Sequence, residues 1–276
     1  MCGEWQKTLD DERIVEESKM KRKIQIVIFV LCLCVLGISA FKLYDIQNNY
    51  EEGDAVYNSI ADEVVTVLPV EEETEQKDTK DKKKTKLDPM ISVDLKALKQ
   101  KNEDIIGWLY IPNSVISYPL LQGENNDTYL HQTYNKQQSF FGSIFIDYRN
   151  NSNLQDAHTI IYGHNMKNGS MFGTLKRYSD KAFYKEHKNI YIYTEKGTHK
   201  YQVFSYHVAD ATGKIYTVSF EDENALEDYL KLAKQSSYLD TGVEVGTSDK
   251  TITLSTCTSN ETSRFVVHAK YVGDVE

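Results

Sequence analysis

The sequence predicts a mostly β domain, a closed or nearly closed β-barrel with peripheral helices, preceded by an N-terminal transmembrane helix. Three observations carry that expectation. An apolar run spans Ile24 to Phe41, with Gln25 its only strongly polar side chain. A segment from Glu71 to Lys86 (EEETEQKDTKDKKKTK) contains six acids, six lysines and no apolar residue, so it cannot bury a core. From residue 108 onward, short runs rich in Ile, Val, Tyr and Phe alternate with turn residues, as pleated surfaces require.

The eighteen residues of the apolar run reach roughly 27 Å at the helical rise, close to the thickness of a bilayer core. Lys19, Lys21, Arg22 and Lys23 precede it, and Lys42, Asp45, Glu51, Glu52 and Asp54 follow. This asymmetry predicts a cytoplasmic N-terminus at 1–23, a membrane-spanning signal-anchor at 24–41, and the bulk of the chain outside the cell. A cleaved signal peptide is the alternative. The run is longer than a usual signal core, the leader is long and acid-rich, and no A-x-A-like site follows. Residues 42–89 then read as an extracellular stalk, largely disordered, with nascent helix around 56–67. Residues 90–276 form one folded domain, long enough to bury a sizeable core.

Within the domain, Ser92 is the expected cap of a short helix carrying Leu95 and Leu98 on one face. Strands are expected at 108–111, 115–118, 142–148, 159–162, 190–194, 200–208, 215–218, 251–256 and 264–272. A longer helix near 221–235 interrupts them. Ser219 is its expected cap, Glu221 to Glu223 load its first turn, and Lys231 and Lys234 lie near its end, all matching the helix dipole. Leu226, Tyr229, Leu230 and Ala233 recur at helical spacing and form one core-facing stripe. The whole chain carries a net charge of −9. Within the folded domain 19 basic residues nearly balance 22 acidic ones, with no basic stripe, so nucleic acid is not an expected partner.

Cys257 is the one cysteine outside the first 34 residues. On the far side of a membrane it has no intramolecular partner. Such a thiol is either a small buried hydrophobe or a nucleophile, and residue type alone leaves both open. Arg264 follows seven residues later, after a short polar loop that can fold it back beside Cys257. There a guanidinium favours thiolate or donates to a developing oxyanion. A nucleophilic cysteine also needs a proton donor for the leaving group. Of seven histidines, His164 stands at the end of a strand-like run before a polar turn, whereas His268 lies mid-strand and reads as structural.

Several segments resemble one family when taken in order. They are T-L-S-T-C (Thr253–Cys257), R-F-V-V-H-A-K (Arg264–Lys270) and Y-G-H (Tyr162–His164). They are joined by I-G-W-L (Ile106–Leu109), Y-P-L-L-Q-G (Tyr118–Gly123), N-D-T-Y-L (Asn126–Leu130) and G-S-I-F-I-D-Y-R-N (Gly142–Asn150). Together they resemble the sortases, transpeptidases that attach proteins to the cell wall of Gram-positive bacteria, and class B sortases in particular. The resemblance implies a closed barrel of about eight strands in a catalytic domain at 90–276. It implies Cys257 as nucleophile, His164 as acid/base and Arg264 as the residue steadying carbonyl and oxyanion. It also implies that Asn126, Leu130, Tyr162, Tyr216, Ser255 and Thr258 line the substrate groove.

The implied substrates are secreted proteins with a C-terminal sorting signal, NPQTN-like or S/N-P-x-T-G-like. The implied acceptor is an amine of lipid II or the peptidoglycan cross-bridge, and the membrane is engaged through residues 24–41. A pilin-polymerising class B enzyme with a lysine acceptor, or an inactive adhesion or scaffold domain on the same fold, is the alternative. No cofactor is expected, and no acidic constellation suggests calcium. Two departures touch the groove. The Cys-to-Arg loop is shorter than in several class B relatives, and Thr258 replaces an acidic residue common after the cysteine.

Overall fold

The computed structural model describes residues 2–69, 88–257 and 262–275. The lysine- and acid-rich tether and Thr258 therefore lie outside the described residues. The chain divides into two compact units, Met1–Glu52 and Gly53–Glu276.

Helix α1 (Cys2–Val64) runs through the first unit and into the second. Its most apolar eighteen residues have a mean hydropathy of 2.8 and are exposed throughout, including Val27, Phe29, Leu31 and Leu36. That length and composition suit a membrane span. The helix does not end with the apolar run. Tyr57, Ile60 and Val64 are buried in the second unit. The compact unit thus begins at Gly53, not near residue 90, and the expected stalk is helical as far as Val64, which includes most of the 56–67 stretch where nascent helix is expected. The reason is a stripe, Gly53–Tyr57–Ile60–Val64, at the 4–3–4 spacing of one helix face, hidden among charged neighbours. A short ladder, β1 (Val65–Val67) against β2 (Ile91–Val93), follows.

Ser92 lies in β2, so it does not cap the next helix. In α2 (Leu95–Lys101) that role falls to Asp94, whose carboxylate accepts from Ala97 N at 3.0 Å. The barrel strands follow: β3 (Ile105–Tyr110) and β4 (Ser117–Leu121), the one-turn helix α3 (Thr128–His131), then β5 (Ile144–Ile146) and β6 (His158–Tyr162). After the short helix α4 (Lys181–Glu186) come β7 (Asn189–Thr194), β8 (Gly197–Asp210), α5 (Glu223–Gln235), β9 (Thr251–Cys257) and β10 (Ser263–Val275). Eight strands close in the order β10-β8-β7-β3-β4-β5-β6-β9. The β4–β5 and β6–β9 pairs are parallel and the others antiparallel. The expected mostly β closed barrel is the observed architecture.

The segment 215–218 is not a strand. Lys214–Tyr216 is a 3₁₀ turn. Its carbonyls are used elsewhere: Thr217 O is 2.7 Å from His158 Nδ1, and Tyr216 O accepts from Arg149 at 3.5 Å. Ile215 meanwhile joins the core beneath α5. Backbone committed to side-chain partners cannot also join a ladder. In α5 the cap is Asp222, accepting from Ala225 N at 2.8 Å, and Ser219 is not used. The expected stripe of Leu226, Tyr229, Leu230 and Ala233 is buried against Phe204 and Val266. Each buried leucine there contributes on the order of 1.5–3 kcal/mol.

Candidate active site

The barrel's parallel β6–β9 pair and its neighbour β10 bring the site together. In register, Tyr162 on β6 faces Ser255 on β9, and Cys257 at the end of β9 faces Arg264 near the start of β10. The hairpin inferred from the Cys-to-Arg spacing therefore exists, and cysteine and arginine are direct cross-strand neighbours. Arg264 Nη1 donates to Ser263 O at 2.9 Å. β6 ends at Tyr162, and Gly163 N donates to Ser255 O at 3.2 Å, so the chain leaves the sheet one residue before His164. Gly163 packs so closely on its neighbours that a Cβ would lie 2.8 Å from Cδ2 of Phe172. Phe172 N in turn donates to His164 O at 2.9 Å, pinning the loop from its other side.

The imidazole is oriented by a backbone carbonyl. His164 Nε2 lies 2.7 Å from Leu130 O, and a carbonyl can only accept, so Nε2 carries a hydrogen. Leu130 O is itself set by Gly142. With φ at +54°, Gly142 packs so closely that a Cβ would stand 2.6 Å from the oxygens of both Tyr129 and Leu130. Ser143 N adds a 2.8 Å bond to Tyr129 O.

The groove residues inferred by resemblance converge on a group that sequence reasoning gave no role. The Asp147 side chain is fully buried and accepts from Asn126 Nδ2 (2.9 Å), Tyr162 OH (2.9 Å) and Arg149 Nε and Nη2 (2.8 and 2.7 Å). Burial opposes its charge, but hydrogen bonds from Arg149, Asn126 and Tyr162 outweigh it and hold the carboxyl below the usual range. The same arrangement raises the Tyr162 phenol, first by burial and then by the Asp147 charge, so it stays protonated as a donor. Tyr162 and Tyr216 stack with rings 6.4 Å apart and 9° from parallel, and Tyr216 OH meets Ser255 Oγ at 2.8 Å. Asn126, Tyr162, Tyr216 and Ser255 thus form one connected wall. Leu130 enters through its carbonyl, and Thr258 lies outside the described residues. A single carboxylate in a turn after a short strand looks like a surface charge in sequence. Its partners, 2 to 21 residues away, carry no spacing signal.

His268 is fully buried mid-strand, as expected of a structural histidine, and its Nδ1 meets Thr253 Oγ1 at 2.7 Å. Thr253 Oγ1 also meets His158 Nε2 at 2.7 Å, and Tyr229 OH meets that same nitrogen at 2.8 Å. Burial lowers the pKa of both His158 and His207 to about 4 and holds His268 well below the usual histidine range. These histidines are neutral core, not acid/base groups.

The closed barrel thus carries a cysteine and an arginine in register across its last two strands, and a histidine two residues beyond the end of the adjacent parallel strand. The sortase domain family model matches residues 109–272. A sortase B from Listeria monocytogenes is 40% identical over 199 residues, covering 70% of this chain and 80% of that protein. The Staphylococcus aureus sortase B–substrate complex superposes with a TM-score of 0.63 at 33% identity, covering 66% of this chain and 85% of that one. A Bacillus anthracis sortase B in complex with AAEK2 gives 0.68 at 30% identity, covering 82% and 98%. The chain belongs to the sortase family and, within it, to the class B sortases, cysteine transpeptidases of the bacterial surface.

Proposed function

We propose that this sortase cleaves a C-terminal sorting signal after its threonine and transfers the acyl group to a cell-wall amine. The Cys257 thiolate attacks the threonine carbonyl, and the tetrahedral intermediate collapses as His164 delivers a proton to the departing amine. The remaining thioester is opened by an amine of a peptidoglycan precursor, which returns a proton to His164 and frees the thiolate. Dividing the transfer replaces one hard amide exchange by two easier steps. Arg264 acts where negative charge grows on the carbonyl oxygen. The wall of Asn126, Tyr162, Tyr216 and Ser255, with Leu130 and Thr258, receives an NPQTN-like or S/N-P-x-T-G-like peptide. Residues 24–41 anchor the enzyme with residues 1–23 in the cytoplasm and the barrel outside, where the protein substrate and the lipid-linked acceptor both arrive.

The observation that carries this reading is the cross-strand pairing of Cys257 with Arg264, one strand away from the Tyr162–His164 segment. The test is peptide cleavage by the purified enzyme and three variants. Cys257→Ala is expected to abolish turnover, and His164→Ala and Arg264→Ala to lower it by roughly 10²–10⁴-fold. Full activity in Cys257→Ala, or losses within about threefold in the other two, would contradict the assigned roles. Supplying a short glycine peptide or a pilin lysine as acceptor separates cell-wall attachment from polymerisation.

A further inference from the structure

The segment Gly53–Tyr57 of α1 touches both structures that hold His164. On one side the ring of Phe141 packs on Gly53, and Tyr57 OH donates to Gly142 O while lying 3.2 Å from Ser143 Oγ. Gly142 is the residue packed against the Tyr129 and Leu130 carbonyls, and Leu130 O accepts from His164 Nε2. On the other side Asp54 Oδ2 accepts from Asn168 Nδ2 at 2.9 Å, four residues beyond His164. The ring of Tyr57 also meets Tyr118 edge-on at 5.4 Å, and Tyr118 OH accepts from Met171 N at 3.0 Å in the same loop. Burial raises the Tyr57 phenol well above its ordinary range, so its hydroxyl remains a donor at any working pH.

We propose that Tyr57, on the extension of the membrane helix, is a positioning residue for His164. Its hydroxyl fixes the Gly142 backbone, Gly142 fixes the Leu130 carbonyl, and that carbonyl fixes the tautomer and orientation of the imidazole. Asp54 braces the same histidine through the Asn168 loop. The helical segment Gly53–Val64 is therefore a positioning element of the site, and its packing on the barrel sets whether the imidazole is aligned. This rests on the reading of His164 as the acid/base.

The decisive measurement uses the full chain in nanodiscs with ¹⁵N-labelled histidine, comparing wild type with Tyr57→Phe. The His164 Nε2–H resonance, assigned by its loss in His164→Asn, is expected as a downfield, slowly exchanging signal in the wild type. It is expected to move upfield or broaden in Tyr57→Phe as the Leu130 carbonyl is released. In parallel, kcat on an NPQTN-type peptide is expected to fall about three- to tenfold with KM within about twofold, because small misplacements of a reacting group act on the chemical step. A lost structural contact alone would lower Tm by about 2–4 °C and leave the resonance in place. An unmoved resonance overturns the proposal, whatever the rate does. Should Tyr57→Phe not accumulate as folded protein, Asp54→Ala is judged by the same resonance. If His164→Ala cleaves the peptide within about threefold of wild type, the acid/base reading fails, while the resonance still decides whether Tyr57 positions the imidazole.

Discussion

Replacing Asp147 by asparagine tests whether one buried carboxylate organises the groove wall. In the wild type its Oδ1 accepts from Arg149 N at 3.0 Å and Nε at 2.8 Å, and its Oδ2 from Asn126, Tyr162 and Arg149 Nη2. Asparagine keeps one oxygen and turns the other into a donor, so at least two of these donors meet a donor instead. Removing one partner of a buried pair costs about 3–5 kcal/mol. The Arg149 side chain is 42% exposed and can rehydrate, which reduces the expected loss to about 2–4 kcal/mol. For a unit of this size that corresponds to a Tm lower by roughly 5–12 °C. Freed of their acceptor, Asn126 and Tyr162 no longer hold the wall, and kcat/KM for the sorting peptide should fall by about tenfold, mostly through KM. Calorimetry and steady-state peptide cleavage at pH 7 read both effects. A Tm within 1 °C and kcat/KM within about twofold of wild type would refute the assigned role. The sign with pH is fixed as well. A carboxyl held below its ordinary value adds stability above the unfolded-state pKa near 4, and that stability is lost as pH falls through the folded-state value.

Three further outcomes follow from the same geometry. Acidification from about pH 6.5 to 4 should destabilise the barrel, since His158 and His207 are held neutral with pKa values of about 4 and bind protons only on unfolding. His158 alone accounts for on the order of 3 kcal/mol, so a Tm unchanged between pH 7 and 4.5 would contradict it. Gly163→Ala should cost about 1–3 kcal/mol and slow turnover, because the added methyl group meets Phe172 beneath the His164 loop; chemical denaturation and kcat check it. Tyr216→Phe removes the hydrogen bond to Ser255 while keeping the stack on Tyr162, so stability should change by no more than about 1 kcal/mol while KM for the peptide rises; unchanged KM would remove Tyr216 from the groove.

What the sequence disclosed and what it hid follow from how far each signal reaches. The barrel strands were legible because β-branched and aromatic runs between turn residues report a local preference. The α5 stripe was legible because four apolar residues recur at one period. The run 215–218 misled for the same reason: it has strand composition, yet His158 and Arg149 claim its carbonyls. Gly53–Val64 reads as stalk with no more than nascent helix because its buried stripe is carried by one glycine and three apolar residues among Glu51, Glu52, Asp54, Asp62 and Glu63, whose charges dominate any composition reading. The pairing of Cys257 with Arg264 could be inferred from a short loop between two strands. The Asp147 centre could not, because its ligands come from separate turns and strands that only the closed barrel brings within 3 Å. The Leu130–His164 contact was equally hidden, since a backbone carbonyl leaves no mark on residue identity.

Whether acyl transfer passes through Cys257 is decided by intact-protein and peptide mass spectrometry of the enzyme quenched with acid during turnover of a panel of sorting peptides. An adduct equal in mass to the peptide portion ending at threonine is expected, mapped to Cys257, discharged by hydroxylamine and by added amine, and missing from Cys257→Ala. Peptide cleavage without any adduct on Cys257, or an adduct on another residue that discharges at the turnover rate, would contradict it.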